Sequence, residues 1–217
     1  MGAKNEKLVK MKAIGITQFQ EKSFDVYNIE GAWLDSFGLI EKNFKMSVTG
    51  ESGNGKTEFV IKFIKELCLK FNTKADYFSY EQGHSKSLQD AIIRNNMEDV
   101  KGKIMFITGG PFEELLERLK RRGSARIVVI DSQDYSELTT KQFKLLIKMF
   151  PKKAFIVVSW ARNDKPKTGP AKDIENMCCI KNLVKQFKVY PRSRFGGNKP
   201  FVIWDRKETT PVQQKLF

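Results

Sequence analysis

Residues 50–57 read Gly-Glu-Ser-Gly-Asn-Gly-Lys-Thr, a spacing of glycines, lysine and hydroxyl that points to phosphate chemistry. In the pattern G-x-x-x-x-G-K-[ST], backbone N–H groups turn inward around phosphate oxygens. The helix that follows adds the positive end of its dipole. Gly50, Gly55, Lys56 and Thr57 fill the fixed positions, and Glu51, Ser52, Gly53 and Asn54 complete the cradle. Lys56 is placed to reach the outer phosphates of a nucleoside triphosphate, and Thr57 to offer its hydroxyl to Mg2+. A chance match in a chain of this length is on the order of one per cent at average residue frequencies.

Two carboxylates stand where such a loop needs them. Asp131 follows Ile127-Val128-Val129-Ile130, so it ends an apolar strand. That is the place for an acid that orients a magnesium ion, and also a common place for a turn cap. Glu81 ends Tyr77-Phe78-Ser79-Tyr80. A carboxylate there can polarise a water aimed at the terminal phosphate, which is general-base work; its local pattern fits a surface residue equally well. His84 reads as an ordinary loop residue, and as the single histidine it excludes any site that needs two.

Cations cluster twice near the end of the chain. Arg192 and Arg194 are two residues apart in an extended segment, so their side chains share a face. An arginine brought to a terminal phosphate neutralises charge developing in the transition state. If the strands run outward, one chain cannot easily place this segment over its own phosphate loop, which makes a neighbouring subunit's site the natural target. The other reading is a basic hairpin against nucleic-acid backbone. Arg162, Lys165, Lys167 and Lys172 lie in a segment that follows a core strand. It reads as a loop tracking single-stranded DNA, or as a solvated charge run.

The elements that must hold these residues alternate. Strands are expected at Lys45–Thr49, Ala75–Tyr80, Lys103–Thr108, Arg126–Ile130 and Ala154–Ser159, and helices at Thr57–Phe71, Ser87–Asn95, Phe112–Arg121 and Thr140–Met149. Several strands are apolar on both faces, which requires an α/β fold with a mostly parallel sheet covered by helices on both faces. Leu183–Tyr190 and Pro200–Asp205 read as a C-terminal β-hairpin extension joined through Pro191–Lys199. Residues 1–30 read as an N-terminal arm, 31–208 as the domain and 209–217 as a tail.

The composition agrees with this frame. The chain has 217 residues and 41% hydrophobic residues, enough for one sizeable core. It carries 39 Lys and Arg against 25 Asp and Glu, a net charge of +14 that suits a polyanion partner. Cys68, Cys178 and Cys179 have neither metal nor disulfide spacing, which fits a reducing, cytoplasmic setting. No apolar run is long enough for a membrane span, and the basic N-terminus lacks the apolar core of a signal peptide.

With these pieces placed, the chain resembles the RecA-like ATPases, especially the RadA and DnaB branch, over residues 30–205. Trp33-Leu34-Asp35-Ser36-Phe37-Gly38 is similar to the leucine–aspartate–glycine segment that leads into the family's phosphate loop. Glu81, 25 positions after Lys56, matches the catalytic glutamate, and Val129-Ile130-Asp131-Ser132 the magnesium strand. Gly169-Pro170 resembles a pair found after the second DNA-facing loop. Arg192-Ser193-Arg194-Phe195-Gly196 is similar to the basic motif that reaches a neighbour's nucleotide, with Arg192 where relatives mostly have lysine. One position departs: the family's γ-phosphate-sensing His or Gln falls on Trp160, whose indole cannot accept a hydrogen bond, with Ser159 as a substitute beside it.

The resemblance implies a single-domain ATPase, a bare motor core in the style of a phage or mobile element. It implies ATP and Mg2+ as cofactors, a ring or filament of identical subunits, and single-stranded DNA as partner in recombination, replication or repair. Lys56 and Thr57 would hold phosphate and metal, Asp131 the metal's water, Glu81 the attacking water, and Arg192 and Arg194 would act in trans. The rival is an ATP-switched recruitment or loader protein with little turnover. A small-molecule kinase fits the phosphate loop but leaves the basic motif unexplained. Gln213-Gln214-Lys215-Leu216-Phe217 resembles the Gln-x-x-Leu-Phe peptide that docks on sliding clamps; a folded-back or loose end is the plainer alternative.

Overall fold

The computed structural model describes residues 13–204. Among the described residues, eight strands form one path in the order β11 (Phe201–Val202), β10 (Lys188–Ser193), β9 (Ile180–Lys185), β3 (Lys45–Gly50), β7 (Ala154–Arg162), β6 (Ile127–Asp131), β4 (Ala75–Ser79), β5 (Ile104–Thr108), and a ninth, β8 (Lys165–Pro166), pairs with β7. Strands β3, β4, β5, β6, β7 and β9 pair in parallel. Strands β8, β10 and β11 are antiparallel to their neighbours.

Alternation along the strands divides the core. Met46, Val48, Tyr77, Ile127, Val129, Ile156 and Val158 face a cluster with α2 (Gly31–Phe37), α3 (Lys56–Lys70) and α4 (Lys86–Arg94). Phe78, Val128, Ile130, Phe155 and Val157 face the other cluster, with α5 (Phe112–Lys120), α7 (Thr140–Met149) and α8 (Gly169–Met177); the short α6 (Gln133–Ser136) follows β6. A strand whose two faces both lose contact with water is apolar along its buried length, as in Ile127–Ile130 of β6 and Ala154–Val158 of β7, while the buried Asp76 of β4 is held by the Arg118 guanidinium at 2.8 and 3.0 Å. The parallel, helix-covered sheet expected from the sequence is the one observed.

At the amino end, α1 (Ile16–Gln20) buries no residue. Strand β1 (Val26–Tyr27), read as part of the arm, pairs with β2 (Ile40–Glu41), and Tyr27 and Ile29 enter the core. Helix α2 brings the Leu34–Gly38 segment against residues 193–199. Asn198 N donates to Ser36 O at 2.9 Å and Ser193 Oγ to Phe37 O at 2.7 Å. A Cβ on Gly38, whose φ is +69, would sit 2.0 Å from Phe195 O. Only glycine allows this contact, so the two segments quoted for the resemblance form one joint.

Two expectations are corrected. The expected strand Leu183–Tyr190 is split by a turn at Gln186–Phe187 into β9 and β10, and Pro191 and Arg192 lie inside β10; the expected pairing of this segment with the last strand is present, β10 and β11 running antiparallel across residues 194–200. Gln186 and Phe187 have φ of 50° and 56°, the left-handed pair of a two-residue hairpin. No glycine marks this turn; Gln186 N is instead tied to Asn54 Oδ1 at 2.8 Å. Pro191 is tolerated because β11 pairs only with Lys188 and Val189, leaving Pro191 no second partner strand.

The basic segment 162–173 is likewise not one loop. Strand β7 runs on to Arg162, turns at Asn163–Asp164 and returns as β8. Helix α8 then starts behind Thr168, whose side chain accepts from Ala171 N. Lys172 therefore sits on a helix, while Arg162, Lys165 and Lys167 belong to the β7–β8 hairpin and its exit.

Candidate nucleotide site

The chain leaves β3 through α3 and returns three positions away as β4, past β7 and β6. This break in strand order opens a crevice beyond the carboxyl ends of the strands, where ligands of open α/β sheets bind. The loop from Gly50 to Gly55 lies at its edge. Gly55 caps α3 with φ +95, and a Cβ there would press to 2.9 Å from the Phe187 ring.

Lys56 is buried and donates to Gly50 O at 2.8 Å and Glu51 O at 3.0 Å. Burial lowers its pKa, and the charges of Glu81, Asp131 and Asp134 oppose the shift. Thr57 Oγ1 lies 3.4 Å from Asp131 Oδ2, which also accepts from the Tyr77 hydroxyl. Asp131 is 4% exposed. The Ser79–Asp131 register lets the turn after β4 fold over it, so Tyr80 N and Glu81 N donate to Asp131 O at 2.6 and 3.1 Å. Lys56, Thr57, Asp131 and Glu81 line one cleft of about 330 Å³.

Trp160 stands beside Gly50 across the β3–β7 ladder. Its indole Nε1 donates to Glu81 Oε2 at 3.1 Å, and its backbone N donates to Asp134 Oδ2 at 2.8 Å. Ser159 is buried beneath the loop and bonded to Thr49 at 3.0 Å, so it is Trp160 that faces Glu81.

Other contributors to the cleft carry little sequence signal. The rings of Phe187 and Trp204 lie 5.2 Å apart, and the Arg94 guanidinium is 5.6 Å from the Trp204 ring. Arg94 is held by the buried Glu58. Trp204 follows a short apolar strand and Phe187 sits in an unmarked turn; both are half-buried, and no motif marks either.

Arg192 and Arg194 are not at this cleft. Arg192 pairs with Lys181, and Lys181 with Ser47 near the start of β3, so both arginines lie toward the amino ends of the strands. From Ser47 to Gly50 is about 10 Å along the strand, with further separation across β9. The two are exposed and line a shallow cavity with Lys181. Neither guanidinium has a hydrogen-bond or ion-pair partner among the described residues. Arg162, Lys165, Lys167 and Lys172 are exposed near the carboxyl end of β7, and Lys167 Nζ is 5.1 Å from the Trp160 ring. The tail 213–217 lies outside the described residues.

Burial pushes the Asp131 carboxyl from 3.8 up to about 6, against the opposing hydrogen bond from Tyr77. A carboxyl whose pKa is raised in the fold favours the folded state below its unfolded pKa, and that contribution is lost as pH rises through the folded value. Metal-free and nucleotide-free protein should therefore lose about 2–3 kcal/mol relative to Asp131→Asn between about pH 4 and about pH 6.5. Urea midpoints of the two proteins across this range measure it. A pH-independent difference would show that the carboxyl titrates normally.

No family model matches the chain, and no curated protein matches it in sequence. Among solved structures it is similar to a KaiC-like protein from the hyperthermophilic archaeon Pyrococcus horikoshii. The TM-score is 0.51 at 18% identity, over 72% of this chain and 81% of that one. This likeness concerns the fold alone: the chain has a RecA-like P-loop fold. No helix among the described residues is long and apolar enough to cross a membrane.

Proposed function

We propose that the chain is a Mg2+-dependent ATPase of RecA/RadA-like type that oligomerises and binds single-stranded DNA in recombination, replication or repair. The observation that carries this is the meeting of Lys56, Thr57, Asp131 and Glu81, from three separated segments, in one cleft at the carboxyl ends of the strands. The Thr57 hydroxyl and the Asp131 carboxylate are the hard oxygen donors that suit Mg2+, which when bound would neutralise phosphate charge. Lys56, held by two loop carbonyls, is positioned to exchange them for phosphate oxygens. Glu81 takes the proton of the attacking water. Phe187 and Trp204 offer a shelf against which a nucleobase stacks.

The placement of Arg192 and Arg194 at the far end of the sheet supports their action on a neighbour's nucleotide. The cations around the β7–β8 hairpin support a nucleic-acid contact beside the cleft. A second reading, an ATP-switched recruitment protein with little turnover, is favoured by the Trp160 hydrogen bond to Glu81, which occupies an oxygen of the base.

ATP turnover measured against protein concentration, with and without single-stranded DNA, tests the proposal. Specific activity should rise with concentration, since each site is completed by a neighbour, and should rise further with DNA. DNA affinity should fall steeply with salt through counterion release, and changing Lys165, Lys167 and Lys172 together to Ala should flatten that slope by about two to three contacts. Turnover independent of both concentration and DNA would sink the oligomeric ATPase reading. An unchanged salt slope would move the DNA contact elsewhere.

A further inference from the structure

Glu81 lies two residues beyond the end of β4, on a turn, where a long side chain has several torsions to choose from. Among the described residues, one donor fixes its carboxylate: the Trp160 indole, at 3.1 Å. The indole itself is held from several sides. Trp160 pairs with Gly50, its backbone N bonds Asp134, and its ring meets Tyr135 edge-on at 5.6 Å. Its carbonyl accepts from Lys167 N at 2.9 Å, and the Lys167 ammonium lies 5.1 Å from the ring centre.

We infer that Trp160 is a latch on the general base and that Lys167 is its release. The inference rests on the ATPase reading above. An oxygen that accepts an indole N–H is less available to take a proton from water. A cation over an aromatic face draws electron density from the ring and makes its N–H a stronger donor. Lys167 is also an exposed cation on the exit of the β7–β8 hairpin, where a phosphate backbone would compete for it. A phosphate that takes the ammonium from the ring weakens the indole as a donor and frees Glu81. Polyanion binding and water activation are thus joined through one lysine and one indole, without a side chain that senses phosphate directly.

The three tryptophans, Trp33, Trp160 and Trp204, give three indole 15N–H resonances, and the one missing from Trp160→Phe identifies Trp160. That resonance should move in Glu81→Ala while the other two stay, which also certifies the fold; an unmoved resonance overturns the latch. A thymidine oligonucleotide should shift it in the parent and not in Lys167→Ala; equal shifts in both proteins overturn the release. Without oligonucleotide, Trp160→Phe should raise kcat about tenfold, the size of one hydrogen bond's net worth, with KM for ATP unchanged. Its stimulation by oligonucleotide should shrink by the same factor. A fall in kcat, or stimulation equal to the parent's, overturns the latch while leaving the ATPase reading intact. A parent that binds Mg-ATP and never hydrolyses it, with or without oligonucleotide, instead removes the ATPase reading and the latch with it.

Discussion

Glu81→Gln should bind Mg-ATP as the parent does and turn it over about a thousandfold more slowly, whereas Lys56→Ala should fail to bind. The two side chains share a cleft, and on the proposed reading they do different work. Glutamine keeps the size of the side chain and can still accept from the Trp160 indole, but it cannot take a proton. General-base catalysis is worth about a hundredfold to ten-thousandfold, and the middle of that range sets the expected loss. Lys56 acts earlier. It is a buried ammonium, now satisfied by Gly50 O and Glu51 O, and its charge is what makes the loop attractive to phosphate. Removing it lowers affinity for ground state and transition state together, so binding is lost before turnover can be measured. Calorimetric titration with Mg-ATP and single-turnover hydrolysis separate the effects. Parent-like hydrolysis by Glu81→Gln would show that Glu81 is not the base.

Two inactive proteins should recover activity when mixed: Arg194→Ala, which keeps its own phosphate loop, and Lys56→Ala, which keeps its arginines. The arginines lie toward the amino ends of the strands and the loop at the carboxyl end, so a single chain cannot join them. In a mixed assembly, an intact loop faces an intact arginine at about a quarter of the interfaces formed by random association. Activity should approach that fraction of the parent's. The signal is large because an arginine supplied in trans is worth about a thousandfold or more. Turnover in equimolar mixtures, with co-assembly shown by labelled subunits, measures it. Recovery absent from mixtures that do co-assemble would remove the trans role.

The sequence by itself determined the phosphate loop, because its chemistry is local: glycines, lysine and threonine must follow one another for the backbone to close around phosphate. It determined the sheet as well, because strands buried on both faces are apolar along their buried length, as in Ile127–Ile130 and Ala154–Val158. Asp131 and Glu81 were legible as strand-end carboxylates, though only the Ser79–Asp131 register shows why they are neighbours.

Tertiary structure decided the rest. The β9–β10 hairpin turns at Gln186–Phe187, which carries no turn residue, because Asn54 and Gly55 hold it from across the fold. Of the stretch 191–199 expected to join the last two strands, Pro191–Ser193 instead continue β10, and residues 194–200 make the connection to β11. Pro191 lies in a stretch of β10 that needs no second partner, and Gly197 packs against Ser36 and Phe37. Trp160 looked like a lost sensor because indole does not accept hydrogen bonds. Its donor finds Glu81, 79 positions away, and that pairing depends on which strands lie side by side. Local spacing specifies groups that bind a ligand through consecutive backbone, whereas groups that act on one another across the sheet are set by strand order and register.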